Sequence, residues 1–210
     1  TCSLIILFST PITAFAQPSP GEDRVLANSD FRPNLLPNMD IPRFTSGISV
    51  DGELDEAMWS EAAVATHFSE SNPNEKGVPA IGIKAYMAYD SENLYVAYVI
   101  EDDPSEIRVN MSDRDQIWQD DYSGMLLDTD GDGQVTYFIA ANALGIQGDT
   151  RSAGNDEDVS FDLIYESAGK VTETGYQVEM AIPFRSLRFA KKDIQDWRAT
   201  LIPTLAIPVS

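Results

Sequence analysis

IGIKAYMAYDSENLYVAYVI, Ile81 to Ile100, decides the fold of this chain. Ile81, Ile83, Ala85 and Met87 alternate with Gly82, Lys84, Tyr86 and Ala88, and after the turn DSEN a second run, Leu94 to Ile100, alternates in the same way. A period of two puts every other side chain on one face of a pleated strand, so the two runs read as an antiparallel hairpin. Outward from it, Ser123 to Leu127, Val135 to Ala140, Phe161 to Glu166, Tyr176 to Ile182 and Arg198 to Ile202 read as further strands, the fourth of them closed by Pro183. Arg43 to Val50 offers a first strand that Asp51-Gly52 turns. Helical pattern is confined to a turn near Phe184 to Leu187 and to Glu53 to Ala63, where Leu54, Met58 and Trp59 share a face and acids occupy the first turn. Trp59, on that apolar face, reads as core. Around eight short strands without a βαβ rhythm predict an all-β fold, an antiparallel β-sandwich with one short N-terminal helix.

Leu4 to Ala16 is an apolar run ended by Ala14-Phe15-Ala16, the small-x-small pattern of a secretory signal peptide. Residues 1–16 therefore read as a signal remnant cut before Gln17, and the protein as exported to the periplasm, the outer membrane or the cell exterior. Cys2, the one cysteine, falls in the part removed, so the mature chain must hold together by burial. Residues 17–42, rich in Pro, Asn and Asp, read as an extended linker, and residues 43–210 as one domain, expected to be the N-terminal part of a longer protein. Thirty-four acidic against fourteen basic side chains give a formal charge of −20, which repels nucleic acid and anionic lipid and argues against nucleic acid as a partner. His67 is the one histidine, which argues against an ordinary zinc site or a Ser-His-Asp triad.

Most of the nameable chemistry lies in IWQDDYSGMLLDTDGDG, Ile117 to Gly133. Asp128, Asp130 and Asp132 alternate, and Gly131 and Gly133 supply the positive φ of a tight loop. Two readings stay open: an acidic hairpin turn, or a hairpin tip that holds a structural calcium ion. An EF-hand is excluded, because its twelfth position is Ile139 here and strands flank the loop. Asp120 and Asp121, adjacent on one strand end, point to opposite faces and so make no glycosidase pair. One reads as a metal ligand or hydrogen-bond acceptor and the other as a solvated strand end, while Asn155 to Asp158 reads as a solvated acidic loop.

ISVDGELDEAMWSEA, IGIKAYMAYDSENLYVAYVIED, IWQDDYSGMLLDTD and TGYQVEMAIPFRSLRF, in this order, resemble the successive signatures of carbohydrate-binding module family 9-like domains. The resemblance covers about Phe44 to Pro203 and is nearest to the subgroup at the N-terminus of bacterial exported proteins that continue into an outer-membrane barrel. It implies a non-catalytic sandwich that holds a sugar, often at a chain end, between two indole faces, commonly with bound calcium. It further implies carbohydrate catabolism or glycan recognition, association with a glycoside hydrolase in a full-length protein, and membrane contact only through a barrel outside this chain. Trp118 matches the first stacking tryptophan, with Asp120 and Asp121 behind it, which requires it to be at least half exposed beside one of those acids. Trp197, the other tryptophan outside the early helix, is the candidate for the second stacking face, against a core reading for the same residue. Gly124 stands where sugar-binding members carry a glutamate, so Gly124→Glu is expected to tighten binding. Two functions follow: a carbohydrate-binding module, or a periplasmic structural domain beside a barrel that has lost its sugar site.

Overall fold

A computed structural model of the chain describes the backbone of Ser3–Leu7 together with residues 32, 38–70 and 78–204. Most of the expected signal peptide and linker, residues 8–31 and 33–37, lies outside the described residues. The strands are β1 (Ser3–Leu7), β2 (Asn38–Ile41), β3 (Ala63–Ala65), β4 (Gly82–Tyr89), β5 (Asn93–Glu101), β6 (Tyr122–Asp128), β7 (Val135–Asn142), β8 (Gln147–Ala153), β9 (Asp156–Asp158), β10 (Glu166–Thr172), β11 (Gly175–Pro183) and β12 (Ile194–Thr204). They form a seven-stranded sheet, β2-β1-β12-β6-β7-β8-β9, and a five-stranded sheet, β10-β11-β5-β4-β3. Every pairing is antiparallel except β1 with β12.

The Ile81–Ile100 alternation does what its period requires. Ala85, Met87, Leu94, Val96, Tyr98 and Ile100 turn inward and meet Met125, Leu127, Tyr137 and Ile139 of the facing sheet in one buried core. At roughly 25 cal/mol per Å² of buried apolar surface, this layer supplies the main driving force of folding. Two tyrosines stitch the sheets across it: the Tyr98 hydroxyl donates to the Gly124 carbonyl at 2.5 Å, and the Tyr176 hydroxyl lies 3.2 Å from Ser123 Oγ. The outer face of the five-stranded sheet is covered too. Phe44 and Trp59 pack on Ala88, Tyr95, Ala97 and Ala181 in a second buried cluster.

Five local expectations are corrected. Arg43 to Val50 is not a strand, because Arg43 makes only an isolated bridge to Tyr89 before the chain lies over the second cluster. The Glu53–Ala63 helix contracts to a single 3-10 turn, Ala57–Glu61, whose flanking residues Glu56 and Ala62 are extended; Trp59 within it is core, as its face implied. Phe161 to Glu166 is mostly loop, with Leu163 and Tyr165 as buried anchors, and the strand begins at Glu166. Part of the acidic run 155–158 is strand β9, paired with Arg151–Ala153. Asn38–Ile41, expected as linker, pairs with Ser3–Leu7, expected as signal remnant, so both segments stand in the sheet, and Ile41 is buried in the core. His67 is exposed, outside any strand, at φ 60. Among the described residues no helix is long and apolar enough to cross a membrane.

Candidate functional site

Tyr122, Gly124 and Leu126 of β6 stand opposite Asn142, Ala140 and Phe138 of β7. Their neighbours Met125, Leu127, Tyr137 and Ile139 face the core, so this row lies on the outer face of the seven-stranded sheet. The loop that enters β6 lays Trp118 on that face. Its indole packs edge-on against Tyr122 (centroids 5.8 Å apart, 88° between planes) and tilted over Phe138 (5.7 Å, 34°). Gly148 of β8 lets the ring come down, since a Cβ there would sit 3.0 Å from Trp118 Cη2. Ile117, the preceding residue, is fully buried and pins the loop, while Trp118 is 39% exposed.

Trp118 is therefore less exposed than its expected half, and its flank is aromatic rather than acidic. The two acids sit behind it. Asp120 and Asp121 are each 2% exposed, so neither is a solvated strand end. Asp120 accepts the side-chain amides of Asn110 (2.8 Å) and Asn142 (2.9 Å), one on each oxygen. Asp121 Oδ2 accepts the backbone N–H of Arg108 at 2.9 Å. Asn142 in turn accepts from the Leu144 and Ile146 amides. The acid pair thus ties the loop to the end of β7, an interior role in which each carboxylate has the donors that burial demands. A second knot holds the same loop. Arg114 pairs with buried Asp149, donates to Gln147 and the Leu163 carbonyl, and lies 5.4 Å over the Tyr165 ring. Burial pushes the Asp149 carboxyl up, and the Leu163 amide and Arg114 oppose the rise.

Gly124 answers a different question from the one its position poses. A Cβ on it would lie 2.6 Å from both Ala140 Cβ and the Ile139 carbonyl oxygen, so no side chain fits between β6 and β7. The expectation that Gly124→Glu restores a sugar contact is corrected on that ground. Trp197 is 1% exposed and packs edge-on to Phe184 and Phe189, far from Trp118 along β12. The structure does not bring the two tryptophans together. Asp128, Asp130 and Asp132 do not converge either. Asp128 Oδ1 accepts the backbone N–H groups of Asp130 (3.1 Å) and Gly131 (2.8 Å), and its Oδ2 that of Gly133 (2.8 Å). Asp132 turns to the Gln134 amide. Among the described residues no three His, Cys, Asp or Glu side chains form a metal-holding group, and the Asp128 carboxylate is taken up by the amides of its own turn.

Sequence reasoning missed Tyr122 and Phe138, the two rings that seat Trp118. The i, i+4 step from Trp118 to Tyr122 crosses a loop, and Phe138 comes near only through the β6–β7 register.

The family model for carbohydrate family 9 binding domain-like proteins matches residues 50–197. The chain belongs to that family. Its members are binding domains, and no enzyme family is indicated for this one. Among solved structures, it is similar to a protein of Bacteroides uniformis assigned to carbohydrate binding, at TM-score 0.52 and 14% identity over 70% of this chain and 72% of that one. It is also similar to a family 9 carbohydrate-binding module from Caldicellulosiruptor kristjanssonii solved with cellotriose, at TM-score 0.48 and 20% identity over 72% and 67%. A structure of a family 9 module from the same organism with glucose scores 0.45 at 18% identity, over 67% and 68%. No curated protein matches the chain. Within this member of the family 9 binding domains, a partly exposed tryptophan stands at the mouth of β6 and the acids that follow it are buried.

Proposed function

We propose that this family 9 domain is a non-catalytic carbohydrate-binding module whose platform is the outer face of Trp118. One observation carries the reading: Trp118 is the one tryptophan exposed to solvent, and it is held there by Tyr122 and Phe138, whereas Trp59 and Trp197 are buried at 4% and 1%. A pyranose presents an apolar CH face to such a ring, and binding costs less when the ring is already fixed. With one indole face and no second across from it, the platform holds one sugar ring by stacking alone on that side. The family match and the sugar-bound relatives support this class of ligand. The Leu4–Ala16 run supports an exported protein, placed where glycans are met. Cello-oligosaccharides titrated while tryptophan emission is followed should perturb Trp118, and Trp118→Ala should abolish the response while the domain stays folded. Wild-type emission and melting that ignore every sugar in a neutral panel would remove the reading.

A further inference from the structure

At the end of the sandwich away from Trp118, four pieces of chain leave an open cleft. They are the segment Arg43–Gly47, the β4–β5 turn at Asp90–Glu92, the segment Phe184–Phe189 after β11, and the start of β12. It has two lobes, of about 260 and 470 Å³, that share Arg43, Asp90 and Ser91. Ligand clefts in proteins run from roughly 300 to 1,000 Å³, so the two lobes together offer space of that size.

The inner lobe is aromatic. Tyr89, Phe184, Phe189 and Trp197 line it, with Gln195 beside them. Phe189 stands 5.2 Å from Trp197 and 6.2 Å from Phe184, edge-on to both, and is 36% exposed. Its position is therefore fixed by two neighbours while part of the ring faces the opening. The rim is polar and mixed. Asp90 is locked in place, since Oδ1 accepts the Glu92 and Asn93 amides (2.7 and 2.8 Å) and Oδ2 accepts the Tyr95 hydroxyl at 2.8 Å. Exposed Arg43 lines both lobes beside the Asp90 carboxylate, whose charge it favours, and brings guanidinium donors to the rim. Glu92 and Ser91 supply an acceptor and a hydroxyl on the same rim.

We propose that this cleft is a second site for a neutral sugar ring, independent of the Trp118 platform. An aromatic wall takes the CH face of a pyranose, and a rim with both donors and acceptors suits hydroxyls, which do both. An anionic ligand is disfavoured. Asp90 and Glu92 flank Arg43, and the chain carries a formal charge of −20. A purely apolar ligand would leave the polar rim without partners. The site does not depend on the Trp118 reading, and the two can fail separately.

The test is a titration of the ¹⁵N-labelled domain with methyl glycosides of glucose, galactose, xylose and N-acetylglucosamine, followed by amide chemical shifts. At least one glycoside should move Ser91, Glu92 and Phe189 with a Kd on the order of millimolar. Arg43→Ala, at an exposed position, should weaken that site by about fivefold or more while the melting curve changes little, and Phe189→Ala should weaken it as much while also lowering the melting temperature through lost packing on Trp197. Trp118→Ala should leave it intact. Shifts confined to the neighbourhood of Trp118, no shift in the cleft with any glycoside, or cleft binding unchanged by both variants would each overturn the proposal. Loss of the Trp118 response alone would instead count against the platform.

Discussion

Glu179 on β11 accepts the indole N–H of Trp59 at 3.1 Å, across 120 residues of sequence. The same carboxylate takes the backbone N–H groups of Asp51 (3.1 Å) and Gly52 (2.8 Å). One buried acid therefore clamps both the Asp-Gly turn and the tryptophan of the segment that covers the five-stranded sheet. Gly52 sits at φ +89, and a Cβ on it would lie 3.1 Å from the Gly169 carbonyl carbon, so the turn can close only with glycine there.

The clamp is pH-dependent. Burial pushes the Glu179 carboxyl up to about 7, further raised by Glu56, while the Gly52 and Asp51 amides and the Trp59 indole oppose the rise. A raised acid binds its proton more tightly when folded, so its contribution is fully present below the ordinary glutamate range. It is lost as pH climbs towards 7. Urea denaturation of the wild type should show stability falling over that interval, by about 3 kcal/mol. Glu179→Gln, which does not titrate, should flatten that slope. A slope equal to wild type in the glutamine variant would place the titrating group elsewhere.

Asp120 and Trp118 should separate stability from ligand contact. Asp120→Ala leaves the Asn110 and Asn142 amides without their acceptor, a loss of about 2 to 3 kcal/mol in equilibrium unfolding. Trp118→Ala removes a partly exposed ring and should cost less than the roughly 3 to 5 kcal/mol of a buried aromatic. If the alanine at 118 proves the more damaging of the two, the indole is a core residue and not a platform.

Gly124→Ala tests the tight approach of β6 to β7. The added methyl meets Ala140 Cβ and the Ile139 carbonyl oxygen at 2.6 Å and must push the strands apart. Overpacking of this kind costs about 1 to 3 kcal/mol, and Gly124→Glu should do at least as much harm without any gain in sugar affinity. Thermal melting of both variants settles it, and an unchanged melting temperature in either would refute the packing argument.

The triple-aspartate turn should behave as a turn. Asp128→Ala removes the acceptor of three backbone amides and should lower stability by about 1 to 3 kcal/mol. Melting curves recorded with chelator and with millimolar calcium should coincide, because a ligand that binds the folded state alone raises its melting temperature. A calcium-dependent rise that Asp130→Ala abolishes would restore the metal reading.

The strands that announce themselves in the sequence are those with one face in the core. Gly82–Tyr89, Asn93–Glu101 and Gly175–Pro183 give alternate residues to the central core, the second cluster covers several of those between, and their long apolar runs are legible. Strands β8 and β10, QGDTRSA and ESAGKVT, have no such alternation, and each is held largely by its backbone ladder to one well-packed neighbour. The Glu53–Ala63 pattern has a helical period, but Glu179 and the Asp-Gly turn fix its start in an extended path, and local propensity yields to that contact. At the candidate site the exposed tryptophan could be read from its motif. The burial of Asp120 and Asp121 could not, since two adjacent acids ordinarily seek water, and the amides that receive Asp120 stand 10 and 22 residues away.

Strand β12 runs antiparallel to β6 and finishes with Thr204 opposite Tyr122, the ring that braces Trp118. The last described residue of β12 therefore stands at the end of the sheet where the indole faces outward, so a label placed at position 204 would report on the platform's surroundings without touching the ring.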